Sequence, residues 1–308
     1  MRLTFIIPVY NERDTLERLA EGIMRYAADY DHTILFVDDG STDGSYEILL
    51  ELEERHEAVQ VLRLRGNFGK SLALTAGFAH VDGDLVFTMD SDLQDDPKEI
   101  PRFLEKLEEG YDMVCGWKAV RNDPWHKVIP SKYYNKAVSW LFGVPIHDVN
   151  CGYKLMRREV VKNLHIYGEM HRLIPVVAHS LNFRITEIPV EHHRRQYGVS
   201  KFGFERFSRG ALDVLTMWFL SNYRHQPGHF FGKLGGLQIL FGWLCLGLCI
   251  IVFFLMDTQA ISAALLAVGL VFGATGAVTI SLGLLAEMIL HHLMRMDPAA
   301  YIAEADRE

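Results

Sequence analysis

Residues 84–97 read DLVFTMDSDLQDDP: an apolar run that opens into four carboxylates and an amide within the nine residues from Met89 to Pro97. The run is short and rich in β-branched and aromatic residues, as a buried strand is. Carboxylates this close repel one another unless positive charge lies among them. A strand ending in such a cluster presents a ligand site at its carboxyl end.

Outward from this stretch, strand and helix patterns alternate over residues 1 to about 200. Strands are expected at Leu3–Val9, Thr33–Val37, Val59–Leu64 and Asp84–Met89, with helices at Tyr46–Arg55 and Ser71–Ala79. Leu16, Leu19, Ile23 and Tyr26 mark one face of a further helix after the first strand. This is a doubly wound α/β pattern, in which ligands bind beyond the carboxyl ends of the strands. The polar clusters PVYNE (8–12), DDGSTD (38–43), GNFGKS (66–71) and DSDLQ (90–94) all fall there and point to one shared crevice. The GKS triplet is no phosphate-cradling P-loop, because Leu64 stands where that motif needs its first glycine. Asn67 and Gly69 are instead expected to shape the turn into a helix lining the crevice.

On an extended segment Asp90, Asp92 and Gln94 alternate, so their side chains are expected to converge on one side. Hard oxygen donors of this kind suit Mg²⁺ or Mn²⁺ bridging to substrate phosphates. Asp95 and Asp96, just before Pro97, read as a helix N-cap.

The net charge of −8 gives no basic footprint for nucleic acid. The cysteines Cys115, Cys151, Cys245 and Cys249 form no CxxC pair and fit a reducing compartment. The opening MRLTFIIPVYNERD reads as a strand rather than a signal peptide. Composition changes near Phe230: Leu234–Met256 and Ala260–Ala286 hold no charged residue, and each exceeds the roughly 20 residues that span a bilayer. The Asp257–Gln259 turn makes them an antiparallel hairpin; two buried core helices are the alternative. Arg224 and Lys233 before the hairpin and Arg295 after it place both outer ends in the cytoplasm. The Gly269/Gly273 GxxxG either packs the hairpin or joins protomers, which leaves a homo-oligomer open. Phe204, Phe207, Ala211, Leu212, Leu215 and Phe219 recur at helical spacing, opposite Glu205, Arg206, Arg209 and Asp213. That amphipathic helix lies on a membrane surface or packs on the soluble domain; nearness to the spans favours the membrane. The organisation expected is a catalytic domain over 1–203, a juxtamembrane segment over 204–229, a hairpin over 230–290 and a tail over 291–308.

The motifs IPVYNE, VDDGSTDGS, NFGKSLALTAGF, MDSDLQDDP, CGYKLMRR and RQYGVSKF, followed by the hairpin, resemble the family 2 glycosyltransferases of the Rossmann-like GT-A fold. The likeness is greatest to those that load sugars onto polyprenyl phosphates, the dolichol-phosphate mannose synthases and the bacterial undecaprenyl-phosphate enzymes. That resemblance implies that Pro8, Tyr10, Glu12 and Asp39 hold base and ribose, with Asn67 and Ser91 also on the donor side. Asp90 would contact ribose and metal-bound groups, and Asp92 and Gln94 would ligate the metal. Arg195, Ser200 and Lys201 match a cationic R-x-x-G-x-S-K segment near the diphosphate; a solvated surface loop is the other reading. Lys118, Ser131 and Lys132 fall where relatives bind the lipid phosphate, although relatives often carry arginine at position 118. Asp148 and GEMHR (168–172) fall where sugar and acceptor meet. The pairs His192–His193 and His291–His292 read as incidental.

The implied activity is an inverting transfer from a UDP- or GDP-sugar to a polyprenyl phosphate, undecaprenyl before dolichyl, on the cytoplasmic membrane face. A membrane-tethered enzyme with a soluble or protein acceptor, or a non-catalytic nucleotide-sugar-binding subunit, are the alternatives.

Overall fold

In the computed structural model, residues 1–119, 125–193, 205–223, 226–255 and 258–293 are described. The chain divides into two compact units, Met1–Trp218 and Phe219–Glu308.

The first unit is built on a seven-stranded sheet. Its strands are β1 (Arg2–Val9), β2 (Asp31–Asp38), β3 (Val59–Arg63), β4 (Leu85–Thr88), β5 (Met113–Trp117), β6 (Lys154–Arg157) and β7 (Ile185–Pro189), in the order β3-β2-β1-β4-β6-β5-β7. The intervening helices are α1 (Leu16–Tyr26), α2 (Ser45–Arg55), α3 (Lys70–Phe78), α4 (Ile100–Glu108), α5 (Trp125–Phe142), α6 (Arg158–Asn163) and α7 (Ile174–Ser180). All of LVFT in β4 is buried, as in β1 from Leu3 to Ile7. Parallel interior strands are covered on both faces and so read as unbroken apolar runs. Phe5 stacks on Phe87 at 4.9 Å between ring centroids, and Phe87 meets Phe103 edge-on. Of the face expected for α1, Leu16, Leu19 and Ile23 are buried, whereas Tyr26, in the last turn, is exposed.

The strand order reverses between β1 and β4: β2 and β3 lie on one side of β1 and β4 on the other, all parallel. Such a switch point opens a crevice at the carboxyl ends of the two strands. PVYNE and DSDLQ flank it. Beyond β4 the simple alternation ends, because β6 runs antiparallel between β4 and β5. Pairing Thr88 with Lys154 brings the start of β6, and with it Cys151–Tyr153, beside the exit of β4.

Helix α8 (Glu205–Tyr223) follows, with Leu212 and Leu215 exposed, Met217 buried and Asp213 accepting the Glu169 backbone N–H at 3.1 Å. In the second unit α9 (Pro227–Leu255) and α10 (Gln259–Leu293) are long, apolar and little buried. Gly235 meets the Gly276 carbonyl and Gly242 the Gly269 carbonyl, so the two helices run antiparallel at close approach. A Cβ on Gly269 would lie 2.8 Å from Leu246, which assigns that glycine to packing of the hairpin. Gln238 accepts a hydrogen bond from Thr279 at 2.9 Å across the pair.

Candidate active site

The β1 exit is stitched to the loop after β2. Asn11, in the left-handed region at φ 54°, donates its N–H to Ser41 and accepts from the Thr42 N–H, while the Glu12 N–H donates to Ser45. Pro8, Tyr10 and Glu12 are half-buried along this edge. Asp39 follows β2 directly on this edge. Its two carboxylate oxygens accept the Phe68 and Gly69 backbone N–H groups at 2.7 and 2.9 Å. Burial, more than these bonds offset, raises its pKa. It braces the loop that delivers Lys70, while Asn67 in that loop is exposed.

The DSDLQ segment is a tight turn rather than the extended run its alternation suggested. Leu93 takes φ 58°, which is unusual for a leucine, and Asp92 Oδ1 accepts the Gln94 N–H at 3.2 Å. An Asx-type bond competes here with extended backbone. Ser91 and Asp92 are buried, and Gln94 is half-buried. Gln94 donates its Nε2 to the His193 carbonyl at 3.3 Å, which leaves Oε1 as the donor atom toward a cation. Among Asp90, Asp92 and Gln94 every available donor is a hard oxygen, and the set fits a divalent cation.

Asp90 is held by positive charge. Lys70 pairs with its Oδ1, and Lys118 and Lys154 also act on it. Burial works against its ionisation, but the lysines prevail and its pKa falls well below the ordinary carboxylate value. The carboxylate lies on Gly152, where a Cβ would come within 2.6 Å of Oδ1. Lys154, buried on β6, donates to the Cys151 carbonyl.

Asp95 is no helix cap. Its side chain is fully buried and Lys118 Nζ lies 3.0 Å from its Oδ1, an ion pair without hydrogen-bond alignment. Burial disfavours the Lys118 charge, yet Asp95 and Asp90 raise its pKa overall. Asp96 does cap, accepting the Lys98 N–H at 3.0 Å at the start of the turn Pro97–Glu99. His192 is buried and bridges to Asp95 through the backbone. His193 joins Asp96 and Glu191 around the Lys98 ammonium, which already supplies positive charge to those carboxylates.

His171 of the GEMHR segment reaches α3. Ser71 Oγ accepts the His171 backbone N–H at 3.1 Å and contacts Nδ1 at 3.0 Å. The hydroxyl proton is assigned to that bond, which leaves the ring proton on Nε2. Burial first, then Lys70 and Arg172, keep this histidine well below its ordinary pKa and neutral. Asp148 is buried and accepts from Asn135 Nδ2 at 3.0 Å, tying α5 to the segment before β6. Lys132 is exposed on α5 beside half-buried Ser131, whereas Lys118 is committed to Asp95. Arg195, Ser200 and Lys201 lie outside the described residues, as do the side chains of His291 and His292.

Lys70, Gly152 and Lys154 were not singled out from sequence. A lysine inside the apolar strand YKLM was the available signal, because a buried ammonium needs a partner.

The family described as Glycosyl transferase family 2 matches residues 4–164. The dodecaprenyl-phosphate galacturonate synthase of Rhizobium johnstonii is 35% identical over 96% of this chain and 90% of its own length. The glucosyl-3-phosphoglycerate synthase of Mycobacterium tuberculosis, solved with uridine diphosphate, superposes with a TM-score of 0.54 at 18% identity, over 71% of this chain and 79% of that one. The same enzyme solved with Mn²⁺, uridine diphosphate and glucosyl-3-phosphoglycerate also gives 0.54, at 17% identity over the same shares. At that identity the likeness establishes the GT-A fold alone.

Proposed function

The chain belongs to glycosyl transferase family 2, and from that membership we propose that it transfers a sugar, with inversion, from a UDP-sugar to a polyprenyl phosphate at the cytoplasmic membrane face. One observation carries the reading: a single chain joins an acidic turn at the β1/β4 switch point to two helices of bilayer-spanning length. The uridine nucleotide follows the structural neighbours, which bind uridine diphosphate, and the lipid acceptor follows the Rhizobium relative.

A phosphomonoester has its second pKa near about 6 and is largely dianionic at neutral pH. It is already a nucleophile, so the site has no need of a strong general base. A phosphate oxygen attacks the anomeric carbon, and the bond from that carbon to the diphosphate oxygen breaks. Both bonding electrons leave with the nucleoside diphosphate. Asp92 and Gln94 would hold a divalent cation, which would supply positive charge to the departing diphosphate. The chain's own work is positioning and neutralisation. Asp39 fixes the loop before α3 and Gly152 seats Asp90, and the family resemblance assigns Arg195 and Lys201 to the donor diphosphate.

Membrane attachment brings the lipid within reach. The exposed side of α5 carries Lys132, Tyr133, Lys136, Trp140 and Leu141, and that of α8 carries Leu212 and Leu215. Aromatic, aliphatic and lysine side chains together suit the headgroup boundary. The cationic residues at the outer ends of the hairpin favour both termini in the cytoplasm.

The test is incubation of the purified protein with a panel of UDP- and GDP-sugars and polyprenyl phosphate, with mass measurement of the lipid product. A polyprenyl-phosphate sugar should form, disappear with chelator and return with Mn²⁺ or Mg²⁺. Transfer only to soluble acceptors, or donor binding without turnover, overturns the reading.

A further inference from the structure

We propose that Lys70 is a built-in counter-cation to Asp90 that competes with the divalent ion and so makes metal binding depend on the donor diphosphate. The inference deepens the donor-site reading above and rests on it.

The geometry begins at α3. Asp39 clamps the two backbone N–H groups just before Lys70, so the loop cannot easily carry that lysine elsewhere. From there Lys70 donates to Asp90 Oδ1, with about a third of each side chain exposed. Asp90 also rests against Gly152, where a Cβ would come within 2.6 Å of Oδ1. The ammonium thus holds the first carboxylate of the turn that supplies the metal ligands. Behind it stand two further cations with little exposure, Lys118 on Asp95 and Lys154 on the Cys151 carbonyl.

Charge balance gives the consequence. Among the described residues, Asp90 is paired with Lys70 and also faces Lys118 and Lys154, and Asp95 is paired with Lys118. A divalent ion arriving alone meets Asp90 already paired with an ammonium, and the lysines repel it. A diphosphate arriving with the ion restores the balance, and it also offers Lys70 a new anion within reach. Lys70 then exchanges Asp90 for phosphate oxygen. Metal and donor therefore bind as a coupled pair, and the protein holds little metal when no donor is present. Reciprocity requires that the metal tighten donor binding by the same factor.

The experiment measures Mn²⁺ binding to the full detergent-solubilised chain from the spectrum of free Mn²⁺, with and without uridine diphosphate. Nucleotide binding is measured by calorimetry with and without Mn²⁺. The wild type should bind Mn²⁺ about tenfold or more tighter when the nucleotide is present, within the range of ordinary site-to-site coupling. Lys70→Met should bind Mn²⁺ alone more tightly than wild type and lose most of that coupling. Lys70→Gln, which keeps a polar side chain of similar length, should behave like Lys70→Met, and Lys70→Arg should restore the coupling. If wild type shows coupling but both neutral variants bind Mn²⁺ alone no tighter than it does, the role of Lys70 is overturned while the donor-site reading stands. If wild type binds uridine diphosphate equally with and without Mn²⁺, both are overturned.

Discussion

Lys118 separates two accounts of one residue. The family resemblance assigns it to the lipid phosphate, whereas the structure pairs it with Asp95, whose side chain is 0% exposed against 13% for the lysine. Replacing Lys118 by methionine removes the cation and leaves a buried carboxylate without compensation, which costs about 3–5 kcal/mol. For a domain of this size each kcal/mol moves Tm by about 2–4 °C, so the loss is about 6–20 °C. The double variant Lys118→Met/Asp95→Leu removes both charges and fills similar volume, and it should recover most of that loss. The lysine's pKa is raised above its ordinary value of 10.5. Its stabilising effect is therefore complete below that value and lost only as pH rises through the still higher folded value, so the difference stays constant from about pH 6 to 9. The assay is thermal unfolding by near-UV circular dichroism on the solubilised chain, together with the KM for polyprenyl phosphate. A Lys118→Met variant with Tm within about 2 °C of wild type and a raised acceptor KM refutes the ion-pair account and returns Lys118 to the lipid phosphate.

Gly152→Ala places a Cβ 2.6 Å from Asp90 Oδ1 and 2.8 Å from Oδ2. The carboxylate must shift, and turnover should fall about 100-fold, as displacements near 1 Å at a reacting site do, with the fold retained; activity within about twofold of wild type refutes the seating of Asp90. His171, held neutral by burial, has a lowered pKa. Its contribution to stability is complete above about pH 6.5 and lost as pH falls below that value, at about 1.4 kcal/mol per pH unit until the folded pKa is reached. Unfolding from pH 7 to 5 should show this decline, and His171→Gln should flatten it; an unchanged slope in the variant assigns the pH dependence to other groups.

Local pattern determined much of this protein by itself. The apolar runs of β1, β2 and β4, the polar cluster after each, and the two charge-free tracts follow from side-chain chemistry at fixed spacing. Burial on both faces, strand exit and bilayer length each leave such a mark. The acidic cluster was legible for the same reason, because crowded carboxylates demand a counter-charge wherever they fold. Which charge answers them was not legible. Lys70 comes from the start of α3 on a loop braced by Asp39, whereas Lys118, just beyond β5, and Lys154, on β6, reach the exit of β4 because β6 runs antiparallel between β4 and β5. The same long-range pairing seats Asp90 on Gly152, and the fold sets Lys118 against Asp95, which turns a presumed helix cap into half of a buried ion pair. The alternation of Asp90, Asp92 and Gln94 suggested an extended segment, but a side-chain bond from Asp92 and a left-handed Leu93 make it a turn. Sequence spacing reports periodicity along the chain, whereas the partner of a buried charge is chosen by which strand lies next to it, and only the tertiary structure decides that.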